Sequence, residues 1–294
     1  MKKKAVKKKY DWIAIAFLLP MVGLLTAFVV IPLIYAFVVS FYEWNFYRDS
    51  VYIGWENYRR VWVDKNFWNS LWVGLKFALM VVPTQFVLAF FLAHMIRNMR
   101  QRLGGFVKVS IYIPTVVSGV AAALIFSFIY NYNGGIANAI VTALGFEPIA
   151  WLQDVDIVLG ALAAPAIWLG LGFTTLIMLA GLNDIPISYY EAADMDGANA
   201  IQKVFRITVP LMKNIFLYVL LTGIIGAIQQ FDLPYTMTGG GPLNMTTTPN
   251  LFIYNHFTND PYLGYTISAS LMLFVILGLI SAVVFRVFRF TGED

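Results

Sequence analysis

Residues 12–42 read WIAIAFLLPMVGLLTAFVVIPLIYAFVVSFY, which is thirty-one consecutive positions without a formal charge. A helix needs about 20 predominantly apolar residues to cross the hydrocarbon core of a bilayer. The apolar core of a cleaved signal peptide is shorter, about 7–15 residues, and it ends in small residues. Here the apolar run continues through residues 28–32 into aromatic positions. The segment therefore favours a retained membrane-spanning helix over a signal peptide.

The composition of the whole chain also indicates a membrane protein. Of its 294 residues, 60% are hydrophobic and only 12% are charged, whereas soluble domains carry about 25% charged residues. The 24 Phe, 16 Tyr and 8 Trp exclude a disordered chain. Because the sequence has no cysteine, it has no disulfide framework and no thiolate metal site. The six lysines in residues 2–9 are too few and too local for a nucleic-acid surface, so the expected partner is the lipid bilayer.

Five more apolar runs pass the same length test, so six membrane-spanning helices are predicted. The further runs are residues 67–96, 109–130, 157–182, 215–231 and 263–285. They are continuous rather than alternating with period two, which disfavours a β-barrel. The predicted fold class is an all-α membrane protein with six transmembrane helices.

The distribution of lysine and arginine predicts the orientation of these helices. With the N-terminus inside, fifteen of the 20 basic residues fall in cytoplasmic segments and four in outer segments, as the positive-inside rule requires. Both termini are therefore expected in the cytoplasm. The predicted organisation is a basic cytoplasmic N-terminus (1–11), a six-helix transmembrane domain (12–290) and a cytoplasmic C-terminus (291–294).

The cytoplasmic segment 184–213 is predicted to hold two short helices separated by a turn. Ser188 followed three residues later by Glu191 is a capping-box pattern, which predicts a helix start. Asp196-Gly197 is a turn pair in which the glycine can adopt a positive φ. After the turn, apolar residues recur at roughly helical spacing. The segment is thus expected to form a structured element rather than a plain loop.

Two interpretations of this segment are open from physics alone. An amphipathic helix on a cytoplasmic face can simply lie on the membrane surface. The acidic residues Glu191, Asp194 and Asp196 argue against that, because an anionic leaflet would repel them. They favour a protein partner.

A set of residues in this segment carries a family signature. It comprises Glu191, Ala192, Ala193, Asp196, Gly197, Ala198, Phe205, Ile207 and Pro210. The set resembles the EAA motif of importer-type ABC transporter permeases, and residues 184–213 are called the EAA loop below. The resemblance implies the type I ABC importer permease fold, located in the cytoplasmic membrane. It also implies that this loop forms the coupling helix, which docks onto a separate ATP-binding subunit.

A second signature lies in the last outer segment. Thr238 is followed by Gly239, Gly240, Gly241 and Pro242, and then by Thr246, Thr247 and Thr248. This pattern resembles the outer loop of the maltose, glycerol-3-phosphate and multiple-sugar permeases, and residues 238–248 are called the GGGP loop below. The implied partners are a second homologous permease subunit, two ABC ATPase subunits and an extracellular or periplasmic sugar-binding protein.

Cofactors are not expected on this chain. The sequence contains no phosphate-binding G-x-x-x-x-G-K-[ST] motif. The resemblance therefore implies that ATP and Mg are bound by the partner ATPase subunits. The isolated His94 and His256 do not form a metal site, so neither a metal nor a catalytic residue is predicted.

Candidate substrate-pathway residues occur in the fourth and fifth predicted spans, because polar groups inside spans are costly and mark pathways. They are Trp168, Gly170 and Phe173 in the fourth span, and Ala227, Gln230, Phe231 and Asp232 at the end of the fifth. Sugars offer C–H faces to aromatic rings and hydroxyl edges to amides and carboxylates. On a helix, Ala227 and Gln230 would share a face with Gly223. Helix packing through the small residues and an interhelical hydrogen bond from Gln230 are the alternatives.

The function predicted from these features is permease of an ABC importer for a sugar or oligosaccharide. One alternative is an importer of the same architecture for another solute, such as a polyol or a sugar phosphate. An ion-driven secondary transporter is a less favoured class, because the first four spans contain no Asp, Glu or Arg and no internal repeat is evident. A membrane enzyme is disfavoured because no constellation of nucleophile and base is present.

Overall fold

The computed structural model describes residues 4–44, 49–260 and 262–290, with side chains described for residues 12, 14–44, 49–260 and 262–288. Lys2, Lys3, Arg48 and the predicted C-terminal segment 291–294 lie outside the described residues. The side chains of the other N-terminal lysines also lie outside them. The predicted orientation of the termini therefore stays a prediction.

The described chain is built from helices and one short hairpin. In chain order the helices are α1 (Lys4–Leu25), α2 (Ile31–Val39), α3 (Glu56–Val63), α4 (Lys65–Arg97), α5 (Gln101–Val116), α6 (Gly119–Ile129), α7 (Ile136–Ala143), α8 (Val158–Asp184), α9 (Ile187–Met195), α10 (Ala200–Lys203), α11 (Val209–Leu211), α12 (Lys213–Ile228), α13 (Asp232–Thr238), α14 (Pro249–Asn259) and α15 (Leu263–Phe290). Two π-helical segments, Thr26–Val30 and Val204–Thr208, are inserted between helices. The strands are β1 (Tyr42–Glu43) and β2 (Val51–Tyr52), which pair antiparallel.

Five helical stretches within the described residues are long and apolar enough to cross a membrane. They are Ala14–Val39, Lys65–Arg97, Val158–Asp184, Lys213–Thr238 and Leu263–Phe288. The first, second, fourth and sixth predicted spans are each confirmed as one of these stretches. The third and fifth differ in shape from the prediction.

The third predicted span, residues 109–130, is not one straight helix. α5 and α6 are bent by 94° relative to each other. Val117 and Ser118 between them have extended backbone angles, with ψ of 135° and 138°. Two consecutive extended residues cannot continue an α-helical hydrogen-bond ladder, so the chain turns sharply here. Apolar composition alone did not indicate this break.

The fifth predicted span is also interrupted. α12 ends at Ile228, three non-helical residues follow, and α13 begins at Asp232. The shared helical face predicted for Gly223, Ala227 and Gln230 is therefore wrong for Gln230, which lies beyond the end of α12. The helical stretch then continues to Thr238, further than predicted.

The chain divides into two compact units, of which the first comprises residues 1–64 and 255–274. Its centre is Asn57, a buried side chain on α3 whose Nδ2 donates to the carbonyl oxygens of Ser40 (2.9 Å) and Tyr42 (3.0 Å). The hydroxyl of Ser268 also donates to the Ser40 carbonyl oxygen (3.2 Å). These bonds satisfy the backbone where the first span turns into the hairpin.

The second unit comprises residues 65–254 and 275–294, and α4, α8 and α12 pack against one another in it. A hydrophobic cluster, called the core cluster below, lies where these helices approach α9; it includes Ala93, Ile96, Met178, Leu182, Met212 and Phe216. α5 crosses α8 closely at Gly172, where an added Cβ would lie 2.1 Å from the carbonyl oxygen of Ile111. Only glycine allows this approach.

Candidate functional site

A cavity of about 190 Å³ lies between α4, α8 and α12. Its lining residues are Val82, Gln85, Phe86, Gly170, Phe173, Thr174, Ile177, Val219, Thr222 and Gly223. All of them come from helices long and apolar enough to span a membrane. The lining carries no charged side chain, and every one of these residues is described. The cavity is thus an uncharged space within the span bundle of the second unit.

Three polar side chains face this apolar space. The Nε2 of Gln85 donates to Oγ1 of Thr174 over 2.6 Å, which joins α4 to α8. Gly170 leaves room for the amide, since a Cβ at that position would lie 2.6 Å from the same Nε2. Thr222 donates to the carbonyl oxygen of Tyr218 within α12 (2.7 Å). One amide, two hydroxyl groups and the half-exposed ring of Phe173 match the groups that a neutral, hydroxyl-rich solute requires.

The structure places only two of the seven predicted pathway residues, Gly170 and Phe173, in the cavity lining. Trp168, on α8, instead has its ring 5.7 Å from that of Phe126 on α6. Ala227 is buried near the end of α12. The prediction missed Gln85, Thr174 and Thr222. A search for polar residues inside every predicted span, including the second, would have found Gln85.

The three predicted residues that follow α12 form a separate arrangement. The ring of Phe231 stacks on that of Tyr235, with centroids 5.1 Å apart, and lies edge-on to Tyr254. A hydrogen bond with Tyr235 raises the pKa of the Tyr254 phenol above its ordinary value. The electrostatic interaction with Tyr235 and the desolvation of Tyr254 shift this pKa in the same direction. Asp232 lies against Gly119, the first residue of α6, where an added Cβ would be within 3 Å of the carboxylate carbon. The two breaks in the third and fifth spans therefore meet at Asp232.

The GGGP loop is closed upon itself by threonine side chains. Gly239, the residue directly after α13, has a φ of +61°, and Gly240 follows with a φ of +93°. Thr246 Oγ1 donates to the carbonyl oxygen of Gly241 (2.9 Å) and lies 2.7 Å from the hydroxyl oxygen of Thr238.

The next two threonines of the GGGP loop complete this network. Thr247 Oγ1 donates to the carbonyl oxygen of Gly240 (3.2 Å), and Thr248 Oγ1 donates to that of Gln230 (2.5 Å). The Gln230 carbonyl thus ties the end of α12 to this loop, and Thr246, Thr247 and Thr248 are all buried. In this fold, the motif predicted as an outer-loop signature therefore supplies threonine hydroxyl groups that bond to backbone carbonyl oxygens, which are called the threonine clamps below.

The EAA loop differs, because several of its large apolar side chains point away from the unit. Ile187 is 68% exposed, Met195 89% and Phe205 68%. Glu191 and Ala192 are also exposed, whereas Ala193 and Ala198 are half-buried. α9 is therefore free to present a surface.

The turn predicted inside the EAA loop is confirmed, whereas the predicted capping box is wrong. Gly197 has a φ of +74° and follows Asp196, the residue that caps the end of α9. α9 already begins at Ile187, after Pro186, so Ser188 lies inside the first turn and makes no capping hydrogen bond.

The capping box is found at the next helix. The Asn199 side chain accepts from the Gln202 backbone N–H, and the Gln202 side chain accepts from the Asn199 backbone N–H, each over 2.9 Å. Ile185, the residue before Pro186, has an extended backbone, as residues before proline usually do, and α9 begins directly after the proline. Pro210 lies within the short helix α11 rather than at the start of α12.

Comparisons with known proteins agree with this architecture. The model of the family described as binding-protein-dependent transport system inner membrane component matches residues 85–290. The sulfoquinovosyl glycerol transport system permease protein SmoG of Agrobacterium fabrum is 33% identical over 94% of this chain and 90% of its own length. The trehalose/maltose transport system permease protein MalF of Thermococcus litoralis is 31% identical over 98% of both chains.

The fold is shared with a solved ABC transporter. A chain from a crystal structure of a bacterial ABC transporter involved in the import of the acidic polysaccharide alginate superposes with a TM-score of 0.82. It is 20% identical and the match covers 96% of each chain. A second structure, of a bacterial alginate ABC transporter in complex with a periplasmic protein bound to an alginate pentasaccharide, gives a TM-score of 0.81. The predicted importer-permease fold is confirmed.

Proposed function

We propose that this chain, which belongs to the family of binding-protein-dependent transport system inner membrane components, is a permease subunit that carries a sugar or oligosaccharide. Relatives at 33%, 31% and 30% identity over more than nine tenths of the chain are permeases named for sulfoquinovosyl glycerol, for trehalose and maltose, and for lactose. These solutes share many hydroxyl groups on ring carbons. A cavity on the pathway must therefore be able to hold a ring that carries hydroxyl groups.

The cavity between α4, α8 and α12 is the observation that carries this proposal. Gln85, Thr174 and Thr222 bring an amide and two hydroxyl groups to a wall that is otherwise apolar, and Phe173 adds an aromatic face. Polar groups inside a membrane bundle are expensive and mark transport pathways. Their combination with a ring suits a solute with both C–H faces and hydroxyl edges.

The same lining favours a neutral sugar over a sugar phosphate. A phosphate group moved out of water needs a cationic or multiple hydrogen-bonding partner. The ten lining residues, all within the described chain, include no lysine or arginine. A phosphorylated solute would therefore lose its hydration here without replacement.

ATP hydrolysis belongs to partner chains in this proposal. The sequence contains no G-x-x-x-x-G-K-[ST] motif, and the exposed EAA loop offers a docking surface. The proposed complex contains a second homologous permease, two ABC ATPase subunits that bind ATP and Mg, and an external sugar-binding protein. In the EAA loop, Glu191 through Ala193 and the Asp196–Ala198 turn would contact the ATPase, with Phe205 beside them.

Uptake by the reconstituted complex tests the proposal. The solutes are trehalose, maltose, lactose, an arabinooligosaccharide and glycerol 3-phosphate, each supplied with the binding protein. We expect uptake of at least one neutral sugar, dependent on ATP, and none of glycerol 3-phosphate. Uptake of glycerol 3-phosphate alone, or sugar uptake without any ATPase subunit, would contradict the proposal.

A variant pair then tests the cavity itself. Gln85→Leu keeps the volume of the side chain but removes the amide, and it should lower uptake about tenfold or more, the loss expected when a hydrogen bond to the solute is removed and polar groups stay unpaired. Thr84→Val is the matched control, because Thr84 is the exposed neighbour on α4 and bonds only to the carbonyl oxygen of Met80 in the described structure. Equal uptake by the two variants would show that the cavity is not part of the transport pathway.

A further inference from the structure

α9 is a surface helix that is held to its unit by two side chains on one face. Tyr190 is half-buried and packs against the core cluster. One turn further along, Asp194 pairs with the ammonium group of Lys203 at the end of α10. Residues four apart lie on the same side of a helix, so Tyr190 and Asp194 together define the attached face. Among the described residues of α9, none is fully buried.

The hydroxyl group of Tyr190 is the centre of a directional hydrogen-bond chain. Nη1 of Arg97 lies 3.1 Å from this oxygen, and since a guanidinium can only donate, Tyr190 accepts there. Its own proton is then available to Thr208 Oγ1, 2.9 Å away. Thr208 is fully buried and its hydroxyl can donate onward to the carbonyl oxygen of Lys203, at 3.4 Å. The guanidinium of Arg97 also lies over the Tyr190 ring, 4.8 Å from its centroid.

These contacts connect α9 to every helix that lines the cavity. Arg97 is the last residue of α4, and Gln85 lies twelve residues earlier on the same helix, about 18 Å away at 1.5 Å per residue. Thr208 ends the π-helical segment that leads through α11 into α12, which carries Thr222. α8 leads directly into α9 through Ile185 and Pro186. α9 is therefore joined to α4 by a hydrogen bond, to the segment before α12 by a second one, and to α8 through the backbone.

We infer that the hydrogen-bond chain Arg97–Tyr190–Thr208 transmits movement of the EAA loop to the three helices around the cavity. The inference rests on the proposed docking of the EAA loop onto an ATPase subunit. Tyr190 is a positioning residue, since it touches neither the cavity nor the exposed face of α9. Its hydroxyl group is suited to this role because one oxygen bonds both Arg97 and Thr208, so that α4 and the π-helical segment move with α9 rather than past it.

A purely structural role for Tyr190 predicts a different outcome when only the hydroxyl group is removed. Tyr190→Phe keeps the ring that packs on the core cluster and keeps the face that Arg97 covers. Thr208→Val keeps the shape of a buried side chain and removes the hydrogen bond between Tyr190 and Thr208 from the other side, together with the longer bond to the Lys203 carbonyl oxygen. Both variants should therefore fold and bind the ATPase. What they should lose is the linkage between the ATPase and the cavity.

A cysteine reporter measures that linkage without knowledge of the transported sugar. The sequence has no cysteine, so Thr222→Cys introduces one thiol of this chain at the cavity. The complex with its ATPase subunits is purified, and the rate at which a water-soluble methanethiosulfonate modifies this thiol is compared without nucleotide and with MgATP plus vanadate. The increase in the mass of this chain measures the modification of its thiol. In the parent, nucleotide trapping should change the rate.

In the reporter background, Tyr190→Phe and Thr208→Val should each reduce this nucleotide-dependent change by roughly three- to tenfold, the factor that corresponds to one hydrogen bond. Because both remove the bond between Tyr190 and Thr208, the double variant should show less than the product of the two single effects. Tyr218→Phe, an exposed tyrosine on α12, is the matched control and should behave as the parent.

Three results would overturn the inference. The hydroxyl variants could retain the full nucleotide-dependent change, their effects could multiply in the double variant, or they could lose the ATPase subunit during purification, which would make the hydroxyl group part of docking. A parent that binds no ATPase, or that shows no nucleotide-dependent change, would instead contradict the proposed docking of the EAA loop and the inference with it. Glu191→Lys should lose the ATPase while keeping the hydrogen-bond chain Arg97–Tyr190–Thr208. It therefore tests the docking of the EAA loop separately from transmission through Tyr190.

Discussion

The EAA loop and the GGGP loop are both short motifs built around glycines at positive φ, yet they use their side chains in opposite ways. Thr246 and Thr248 in the GGGP loop are fully buried and bond to the backbone of their own unit. In the EAA loop, Met195 and Phe205 are 89% and 68% exposed. A side chain that is buried against its own backbone has no surface left for a partner. The buried threonines of the GGGP loop hold its backbone together, whereas the exposed apolar side chains of the EAA loop are available for docking.

The two loops should consequently respond differently to glycine replacement. Gly240 is surrounded, since a Cβ there would lie 2.5 Å from Thr247 Oγ1 and 3.3 Å from Leu251 Cδ2. At Gly197, nothing in the described structure lies within 4 Å of the same added atom. Backbone strain is therefore the only local effect at Gly197, whereas strain and steric clash combine at Gly240.

Gly240→Val should have the largest effect on the molecule, because it disrupts a buried loop. Strain at positive φ contributes about 1–3 kcal/mol, and the clash with Thr247 must be relieved by opening the threonine clamps. We expect loss of folded protein, measured as the amount and thermal unfolding temperature of the purified chain. Gly239→Ala, at a φ of +61° with open space around it, is the control for strain alone. Equal stability of the two variants would show that the GGGP loop is not a closed unit.

Glu191→Lys should leave folding intact but weaken assembly with the ATPase subunit. Glu191 is exposed on α9, so charge reversal removes no internal contact of the described chain. At a docking surface, an unpaired or repelled charge costs about 2 kcal/mol or more, which corresponds to a loss in ATPase affinity of about 30-fold. Co-purification of the ATPase measures it. Glu147→Lys, which reverses an exposed charge outside the EAA loop, should assemble normally; if both variants assemble alike, Glu191 is not at the interface.

Gly197→Val should weaken coupling while the chain still inserts into the membrane. A β-branched residue at a φ of +74° carries strain of about 1–3 kcal/mol, which is relieved by straightening the turn after α9. The helix would then meet the ATPase at a different angle, so sugar uptake should fall while thermal stability changes little. Gly197→Asn is the control, because asparagine tolerates this conformation. Uptake at the parent level by Gly197→Val would contradict a role for the turn.

Asn199→Ala should have the smallest effect, and a purely local one. Loss of the capping box that starts α10 costs about 1 kcal/mol, which should appear as roughly fivefold faster hydrogen exchange at the backbone amide of Gln202. Ser188→Ala, the change at the capping position predicted from the sequence, should alter exchange in α9 by less than about twofold. The reverse order would show that α9 begins at Ser188 after all.

Much of the architecture was predictable because hydrocarbon imposes strict rules on sequence. The uncharged run 12–42 and the runs in α4, α8 and α15 needed only their length and composition to be recognised as spans. The breaks at Val117-Ser118 and after Ile228 were not predictable in this way. Polar residues do follow Ile228, but they read equally well as the end of a span, and it is the packing of α6 against α13 that accommodates both breaks.

The candidate site was predicted only in part, because residue type indicates positions within one span but not which spans pack together. Gly170 and Phe173 were found in the fourth span by residue type and by resemblance, and both line the cavity. Gln85 is more than eighty positions away from Gly170 in the sequence, and only packing of α4 on α8 places its amide there. Gln230, Phe231 and Asp232 were selected as polar and aromatic neighbours at the end of a span. Instead, the Gln230 carbonyl oxygen accepts from Thr248 of the GGGP loop, the Phe231 ring packs on α13 and α14, and Asp232 lies against α6.

Composition, the continuous apolar runs and the two motifs therefore determine the class of this protein, because the absence of water in a bilayer allows only helices and closed barrels to cross it, and runs without period-two alternation indicate helices. The same local information placed the turn at Gly197. Where helices break, which threonines clamp a loop, and how Arg97, Tyr190 and Thr208 come into one hydrogen-bond chain depend on contacts between residues far apart in sequence. Such contacts exist only once the helices have packed, since hydrogen bonds of 2.9 and 3.1 Å demand positions that no local sequence pattern encodes.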